Sequence, residues 1–166
     1  MIIINTGKDF GISHCGAHSM DIMRMESGFL HWGHDISPEE NQYQAGLNFT
    51  ISYKKPFEFI GKKKLLSIKD KNINKKFAMF VLKDSKPGIP LLLHEEPIYL
   101  EDKIIGKTTS GNYSFNYSKN LSFGYISCDI SNENLKNKNF YIEIEKIKYP
   151  ANYLQKPLKQ RNFKFI

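Results

Sequence analysis

The sequence is short of several residue types on which common functional sites depend. It has two cysteines, Cys15 and Cys128, one tryptophan, Trp32, and two arginines, Arg24 and Arg161, among 24 basic residues. Two cysteines without a Cys-x-x-Cys motif exclude a disulfide framework and fit a reducing, cytoplasmic setting. So few arginines count against sequence-specific nucleic-acid recognition, because base reading depends strongly on the bidentate guanidinium group.

Long hydrophobic runs are also missing. The apolar run at residues 2–4 is far shorter than the roughly 20 residues of a membrane helix. No signal-peptide cleavage site follows it, so we expect no membrane insertion. The formal net charge of +7 comes mostly from lysine. A basic chain favours an anionic partner, yet solvated lysine faces or a biased genome composition explain this charge more simply.

Aromatic residues are plentiful, with 12 phenylalanines and 9 tyrosines in 166 positions. This is enough for the core of one domain, or of one small domain with part of another. Residues 37–40, Ser-Pro-Glu-Glu, are typical of a helix start, and the polar stretch 70–76 is interpreted as a linker. Three further elements are predicted in this part of the chain, namely a helix over residues 17–26, a strand over 47–53 and a basic helix over 62–70.

A second unit begins near Phe77 and has a different pattern. Its apolar runs are short and separated by turn residues, and they cover residues 77–82, 90–93, 98–100, 104–109, 121–128 and 140–147. This spacing predicts a small all-β barrel or sandwich. From residue 149 the chain contains Pro150 and Pro157 and is interpreted as an extended arm. The fold class predicted for the whole chain is therefore α+β.

Two reactive sites can be considered on local chemistry. A zinc ion binds histidine and cysteine, and such residues occur near each other at His14, Cys15, His18, His31 and His34. Their spacing matches no strong zinc motif, so packing or hydrogen-bonding histidines are the simpler interpretation. A nucleophilic thiol needs a surrounding that favours the thiolate. Cys15 precedes a predicted helix, whereas Cys128 lies in an apolar run typical of a core strand.

A third candidate is the segment 23–36, which holds an arginine, acidic residues, two histidines, the tryptophan and two glycines. A guanidinium group pairs well with a carboxylate through two parallel hydrogen bonds. Arg24 therefore either lines a pocket as a binding group or forms a buried ion pair beside a core Trp32. In the second case its partner is Glu26 or Asp35, and local chemistry favours neither interpretation.

Several short motifs lie in this segment and after it, in a recognisable order. They are Arg24-Met25-Glu26-Ser27-Gly28, Trp32-Gly33-His34-Asp35-Ile36, Gln44-Ala45-Gly46-Leu47, Phe59-Ile60-Gly61-Lys62 and Thr108-Thr109-Ser110-Gly111. This order resembles the glycine-cleavage T-protein (aminomethyltransferase) family, most of all the branch fused to dimethylglycine and sarcosine dehydrogenases. The resemblance runs from residue 11 to residue 157. Met25, Ser27 and Gln44 depart from the residues usual in that branch.

The resemblance implies a fold and a chemistry. The fold is the second half of a folate-binding aminomethyltransferase domain over residues 1–74, followed by a small, Greek-key-like β-barrel with a tail over 75–166. The chemistry is transfer of a one-carbon unit from a glycine-type amine to tetrahydrofolate. Arg24 and Tyr153, the latter in a Pro-Ala-Asn-Tyr motif, match the family's cofactor-binding positions. An arginine suits the glutamate carboxylate of tetrahydrofolate; a packing tyrosine is the alternative for Tyr153.

The family's catalytic aspartate belongs to the first half of the folate domain, which has no counterpart in this sequence. We therefore assign no catalytic residue and expect a partner chain that carries that half, or a flavin dehydrogenase. An FAD would belong to that partner, because this sequence has no Gly-x-Gly-x-x-Gly fingerprint.

Two alternatives stay open. One is a truncated, non-catalytic module that binds folate or protein. The other is a basic relative associated with RNA, although nucleic acid is the less favoured partner because its lysine cluster contains no arginine. The lysines that would contact RNA form the densest basic cluster of the sequence, and they are Lys54, Lys55, Lys62, Lys63, Lys64, Lys69, Lys71, Lys75 and Lys76.

Overall fold

The computed structural model describes residues 2–69, 73–128, 135 and 138–159. The helices are α1 (Ile2–Gly7), α2 (Ala17–Glu26) and α3 (Lys62–Lys69), with short 3-10 helices at Lys8–Phe10 and Asn48–Thr50. The strands are β1 (Lys75–Leu82), β2 (Pro97–Leu100), β3 (Lys103–Ser114), β4 (Lys119–Ser127), β5 (Phe140–Ile144) and β6 (Ile147–Leu154). Helices precede strands, which confirms the predicted α+β class.

The strands form a closed antiparallel barrel in the order β1-β4-β3-β2-β5-β6. Strands β2, β3 and β4 follow one another as neighbours, and β1 lies beside β4 after a long connection over residues 83–96. This is the Greek-key arrangement, read in the reverse chain direction. The predicted Greek-key-like barrel is therefore confirmed.

Alternation along the strands divides the apolar residues between two cores. In β1, Phe80 and Leu82 pack inside the barrel, whereas Met79 and Val81 pack on its outer face. The residues of a strand point alternately to its two faces, so one strand can serve both cores. The outer core is completed by α2, whose Met25 is 1% exposed. The helical segment in front is thus attached to the barrel by apolar packing.

Strands β3 and β4 approach each other very closely where two glycines face the neighbouring backbone. A Cβ atom placed on Gly106 would lie 1.9 Å from the carbonyl oxygen of Tyr125. A Cβ atom on Gly124 would lie 2.4 Å from the carbonyl oxygen of Lys107. Real side chains do not tolerate such contacts, so glycine is required here for the barrel to close at this spacing.

The elements predicted with the clearest periodicity are confirmed. Helix α2 spans the predicted residues 17–26, and α3 ends at Lys69, with the last predicted residue outside the described part. The helix-start motif at 37–40 forms its local bonds, since Ser37 donates through N and Oγ to Glu40 at 2.9 Å and 2.6 Å. The chain continues as turns instead of a helix, and Gly46 has a φ of 70°.

Other predictions were wrong. Residues 47–53 form a 3-10 helix and a turn, in which the Thr50 hydroxyl donates to the carbonyl of Leu47 at 2.7 Å. Alternating apolar and polar residues form a strand only when a neighbouring strand pairs with them. Residues 90–93, predicted as a strand, also lack such pairing and form a loop. Strand β3 continues through Gly111 to Ser114. Residues 147–154 form β6, which closes the barrel, in place of an extended arm.

The predicted linker includes residues 70–72, which lie outside the described part, and β1 already begins at Lys75. The domain boundary at residue 74 stays a prediction. None of the helices described here has the length and apolar character needed to cross a membrane.

Candidate cofactor-binding site

Arg24 lies near the C-terminal end of α2, where its guanidinium group faces β3 and β4. Its Nε donates to Asp21 at 2.8 Å, its Nη2 donates to the hydroxyl of Ser110 at 2.7 Å, and its Nη1 donates to Asp35. The guanidinium carbon lies 5.4 Å from the ring centre of Phe123. Only 14% of the side chain is exposed. These contacts fix the direction of the guanidinium group, because planar donors bond only in their own plane.

Asp35 is the fully buried carboxylate of this cluster, with 0% of its side chain exposed. Besides Arg24, it accepts hydrogen bonds from the backbone N–H of His31 at 2.9 Å and from the hydroxyls of Thr109 at 2.5 Å and Ser110 at 2.7 Å. A buried charge is tolerated only when it is paired and hydrogen-bonded, and Asp35 meets both conditions. The Arg24–Asp35 ion pair considered from the sequence is therefore present.

Glu26 does not pair with Arg24, so that alternative was wrong. It points to a different part of the barrel, where it accepts hydrogen bonds from Ser114 Oγ at 2.6 Å and from Asn116 Nδ2 at 3.0 Å. Residues two apart on a helix face different directions, which explains why Arg24 and Glu26 have separate partners. Glu26 and Arg24 together fasten α2 to β3 and to the turn that follows it.

A cavity of about 480 Å³ opens beside the Arg24 cluster. Its lining combines apolar, aromatic, basic and acidic side chains with the edge of β3, and it consists of Ala17, His18, Met20, Asp21, Arg24, Leu30, His31, Trp32, His34, Leu93, His94, Thr109, Ser110 and Gly111. The ion-pair alternative placed Trp32 in the core, but Trp32 is 65% exposed at this cavity. An apolar wall with a few directed polar groups is typical of a small-molecule site.

A second, more polar cavity of about 610 Å³ is lined by Asp35 and shares His34 and Thr109 with the first cavity. Its wall holds the ion pair between Glu40 and Lys75, with an Nζ to Oε1 distance of 2.5 Å. Burial alone would raise the pKa of Glu40, but hydrogen bonds from Lys75 and Ser37 outweigh it, so this pKa lies below its ordinary value. Tyr125 donates to the carbonyl of Asp35 at 2.9 Å. Burial, with the nearby charges of Glu40 and Asp35, raises the pKa of Tyr125.

Tyr153, the second residue predicted for the cofactor site, lies in β6. Its ring contacts Phe80 and Phe140 within the barrel core, at centroid distances of 6.0 Å and 6.4 Å. Burial raises the pKa of its phenol. Arg24 contacts Phe123 on the outer face of the barrel, so the structure does not bring the two predicted residues together. The assignment of both to a cofactor stays a prediction.

The metal and thiol hypotheses gain no support. Within the described ranges, no group of three or more His, Cys, Asp or Glu residues could hold a metal ion. Cys15 is exposed just before α2, and Cys128 is half-buried after the end of β4, not in the core as predicted. The lysines considered for RNA are spread over several elements. Lys54 and Lys55 lie at a turn, four lysines lie in α3 and two in β1, and Lys71 lies outside the described part.

Sequence reasoning missed Asp21, Thr109 and Ser110 as members of the Arg24 cluster. Asp21 lies three positions before Arg24 on a helix, a spacing that brings two side chains together and could have indicated the pair. Ser110 is 86 positions from Arg24, and such a contact depends on how the barrel folds. The Thr-Thr-Ser-Gly motif was noted only as a resemblance, without a partner.

Comparisons with known proteins place the chain in a family. The family model for the GCVT N-terminal domain matches residues 2–55, and the model for the glycine cleavage T-protein C-terminal barrel domain matches residues 75–159. Mitochondrial dimethylglycine dehydrogenase from Rattus norvegicus is 32% identical over 160 residues, which is 94% of this chain and 18% of that protein. An aminomethyltransferase from Halothermothrix orenii is 34% identical over 127 residues, which is 76% of this chain and 34% of that protein.

The crystal structure of glycine cleavage system aminomethyltransferase T from Bartonella henselae has the same fold. It matches with a TM-score of 0.71 at 19% sequence identity, over 84% of this chain and 37% of that one. This chain therefore spans about a fifth to a third of the length of the relatives named here. Since matched segments cover both the helical part and the barrel, the chain belongs to the glycine cleavage T-protein family.

Proposed function

We propose that this chain is the C-terminal part of a tetrahydrofolate-dependent aminomethyltransferase module, which transfers a one-carbon unit from a glycine-type amine to folate. The observation that carries the proposal is the fixed guanidinium group of Arg24 at the wall of a mixed apolar and polar cavity. The family match supports the same chemistry. We also retain the cytoplasmic setting as part of the proposal.

The cavity suits the chemistry of a folate. A folate joins a flat aromatic ring system to a glutamate, so its site needs an apolar or aromatic surface and a cation at one end. Trp32 and Leu93 supply the aromatic and apolar surface, and Arg24 supplies the cation. Aromatic side chains favour stacked contacts with other ring systems, and arginine is the preferred partner of a carboxylate. Tetrahydrofolate, when bound, accepts the one-carbon unit.

The roles proposed for this chain's own residues are binding and orientation. Asp35, Thr109 and Ser110 hold the guanidinium group of Arg24 in one direction before a ligand enters, which lowers the ordering cost of binding. Tyr153 is retained as a second candidate for cofactor binding. We assign no catalytic proton transfer to this chain, and we propose that the reacting amine is handled by residues of a partner.

That partner is the other half of the module, or a flavin dehydrogenase that contains it. Exposed apolar side chains support the proposal, because contiguous apolar surface on a folded chain marks an interaction site. Neither α1 nor α3 buries a residue, and α2 presents Met20 and Met23 to solvent beside the cavity. Further large apolar residues of the same part are exposed at Phe29, Phe49, Phe57 and Ile60. Any FAD would be held by the partner chain.

The experiment is calorimetric titration with tetrahydrofolate. It compares the chain alone with the chain co-expressed with the front half of a folate domain from a family member. We expect heat of binding in the reconstituted pair, and a loss of at least about tenfold in affinity for Arg24→Ala, because a charged hydrogen-bond partner of the ligand is removed.

Arg24→Lys and Lys148→Ala are the controls. The lysine variant keeps the charge but not the fork of donors, so it should retain part of the affinity. Lys148 lies at an exposed ion pair with Asp102 on the barrel, and its removal should leave binding unchanged. Saturable binding that is equal in wild type and Arg24→Ala would remove Arg24 from the site. No binding in either preparation would leave the alternative of a non-catalytic interaction module.

A further inference from the structure

Asp21 and Asp35 both bind Arg24, but they are held very differently. Asp35 is completely buried and receives hydrogen bonds from a backbone N–H and two hydroxyl groups in addition to the guanidinium group. Moving it would leave several buried donors without an acceptor, which is strongly unfavourable. Asp35 is therefore the permanent counterion of Arg24.

Asp21 is the accessible counterion. Its side chain is 29% exposed, and it lines the 480 Å³ cavity together with Arg24. Its Oδ1 accepts from Arg24 Nε at 2.8 Å and lies 2.7 Å from Nη2, while its Oδ2 has a long contact of 3.4 Å with Asn112 Nδ2. A partly exposed ion pair of this kind contributes little to stability. A rotation about its side-chain bonds would release Asp21 into solvent.

We infer that Asp21 is an internal substitute for the carboxylate of an anionic ligand, and that the ligand binds by displacing Asp21 from Arg24. This inference rests on the proposed function, because the ligand class is a folate with its glutamate tail. The carboxylate of Asp21 occupies the Nε and Nη2 edge of the guanidinium group, and both residues line the cavity. A ligand carboxylate would form two parallel hydrogen bonds at that same edge.

The exchange would give selectivity. With Asp21 and Asp35 both beside a single guanidinium group, the cluster carries one formal negative charge and repels an anion that offers nothing else. A ligand displaces Asp21 only if it gains further free energy elsewhere, for example from ring contact with Trp32 at the same cavity. Competition between Asp21 and an incoming anion for Arg24 excludes anions that bind weakly, without improving any contact to the correct ligand.

The test uses Asp21→Asn, which keeps the size of the side chain and removes its charge. In the preparation that binds tetrahydrofolate, we expect this variant to bind about fivefold more tightly, the upper range for release from one partly exposed ion pair. A reduced pterin without the aminobenzoyl-glutamate tail should bind equally to wild type and variant. Asp102→Asn removes one negative charge from an exposed ion pair of the barrel and should change neither affinity.

A second measurement follows the exchange in the wild type. This chain has only two arginines, so selective ¹⁵N-arginine labelling of this chain, combined with an unlabelled partner half, gives two side-chain Nε–H signals. The Arg24 signal, identified by its loss in Arg24→Lys, should move on addition of tetrahydrofolate and should already differ in free Asp21→Asn.

The outcomes separate the two claims. Tetrahydrofolate binding that is unchanged or weaker in Asp21→Asn, with the Arg24 signal unmoved by ligand, would overturn the exchange and leave the proposed function standing. Equal tightening for the tail-free pterin would also overturn it, because the gain would then be a general charge effect. Absence of binding in every variant would overturn the proposed function and the exchange with it.

Discussion

The hydroxyl of Ser110 donates to the carboxylate of Asp35 at 2.7 Å. The same oxygen accepts from Arg24 Nη2, also at 2.7 Å, so one side chain of β3 connects the two members of the ion pair. The segment between α2 and the loop at residues 31–36 is thereby bound to the barrel through polar contacts as well as through Met25. The free energy of unfolding should therefore depend on the buried charge of Asp35.

Asp35→Asn should destabilise the chain strongly. Asp21 still pairs with Arg24 in this variant. The amide nitrogen replaces a carboxylate oxygen that accepts hydrogen bonds, however, so buried donors around residue 35 lose their acceptor at about 1–3 kcal/mol each. Urea unfolding followed by circular dichroism measures the change in the free energy of unfolding. Asp102→Asn, at an exposed pair, is the matched control. A loss below about 1 kcal/mol would contradict a buried ionic centre.

Met25 and Met23 are two methionines on the same helix with opposite environments, 1% and 60% exposed. Met25→Ala removes packing against Val81, Leu121 and Phe123 and should cost about 2–5 kcal/mol. Met23→Ala should change the free energy of unfolding by at most about 0.5 kcal/mol. Equal effects of the two substitutions in thermal or urea unfolding would show that α2 does not pack on the barrel as described.

The Glu40–Lys75 ion pair should make stability depend on pH in the acid range. The pKa of Glu40 is lowered in the folded chain, so its stabilising contribution is present above the ordinary carboxyl pKa and is lost as the pH falls through the folded value. Glu40→Gln should therefore be less stable than wild type near neutral pH, and the difference should disappear in acid. A difference that stays constant between about pH 7 and about pH 3 would exclude titration of Glu40 as its cause.

Gly106→Ala should prevent the barrel from closing at its present spacing, because the added methyl group meets the Tyr125 carbonyl oxygen. We expect a loss of several kcal/mol or failure to fold, beyond the roughly 1–3 kcal/mol typical of overpacking. Gly16→Ala is the control, since no atom lies within 4 Å of the position that its added methyl group would take, and its φ of −78° is ordinary. A thermal unfolding midpoint of Gly106→Ala equal to that of the wild type would show that β3 and β4 can move apart without loss of stability.

The fold was predictable where a pattern had local causes. Apolar spacing predicted α2 with its full extent, and short apolar runs predicted the barrel. Residues 47–53 show the limit, because their alternation is the same as that of a real strand. Only the neighbouring chain decides whether such a segment pairs, and here Gly46 and the Thr50 hydroxyl favour a local turn. The strand β6 was missed because Pro150 suggested an arm, although an antiparallel ladder tolerates proline where no N–H is needed.

The candidate site was predictable only in part. The Arg24–Asp35 pair was one of two pairings considered, since both residues lie in one short segment. Ser110, Thr109 and Tyr125 reach that segment from strands that follow it by 74 residues or more. Contacts over such distances depend on the strand order of the barrel, and no local pattern in the sequence indicates them. Local chemistry left open whether Trp32 lines a pocket or lies in the core, and the folded chain exposes it at the cavity.

The long sequence separation within the Arg24 cluster has a consequence for biosynthesis. During translation, residues 17–36 leave the ribosome well before β3 and β4, which supply the partners of Arg24, Glu26 and Asp35. Until those strands arrive, three charged side chains and the apolar face of α2 have no docking surface on the barrel. The protection of the nascent segment from aggregation therefore depends on how quickly the barrel forms.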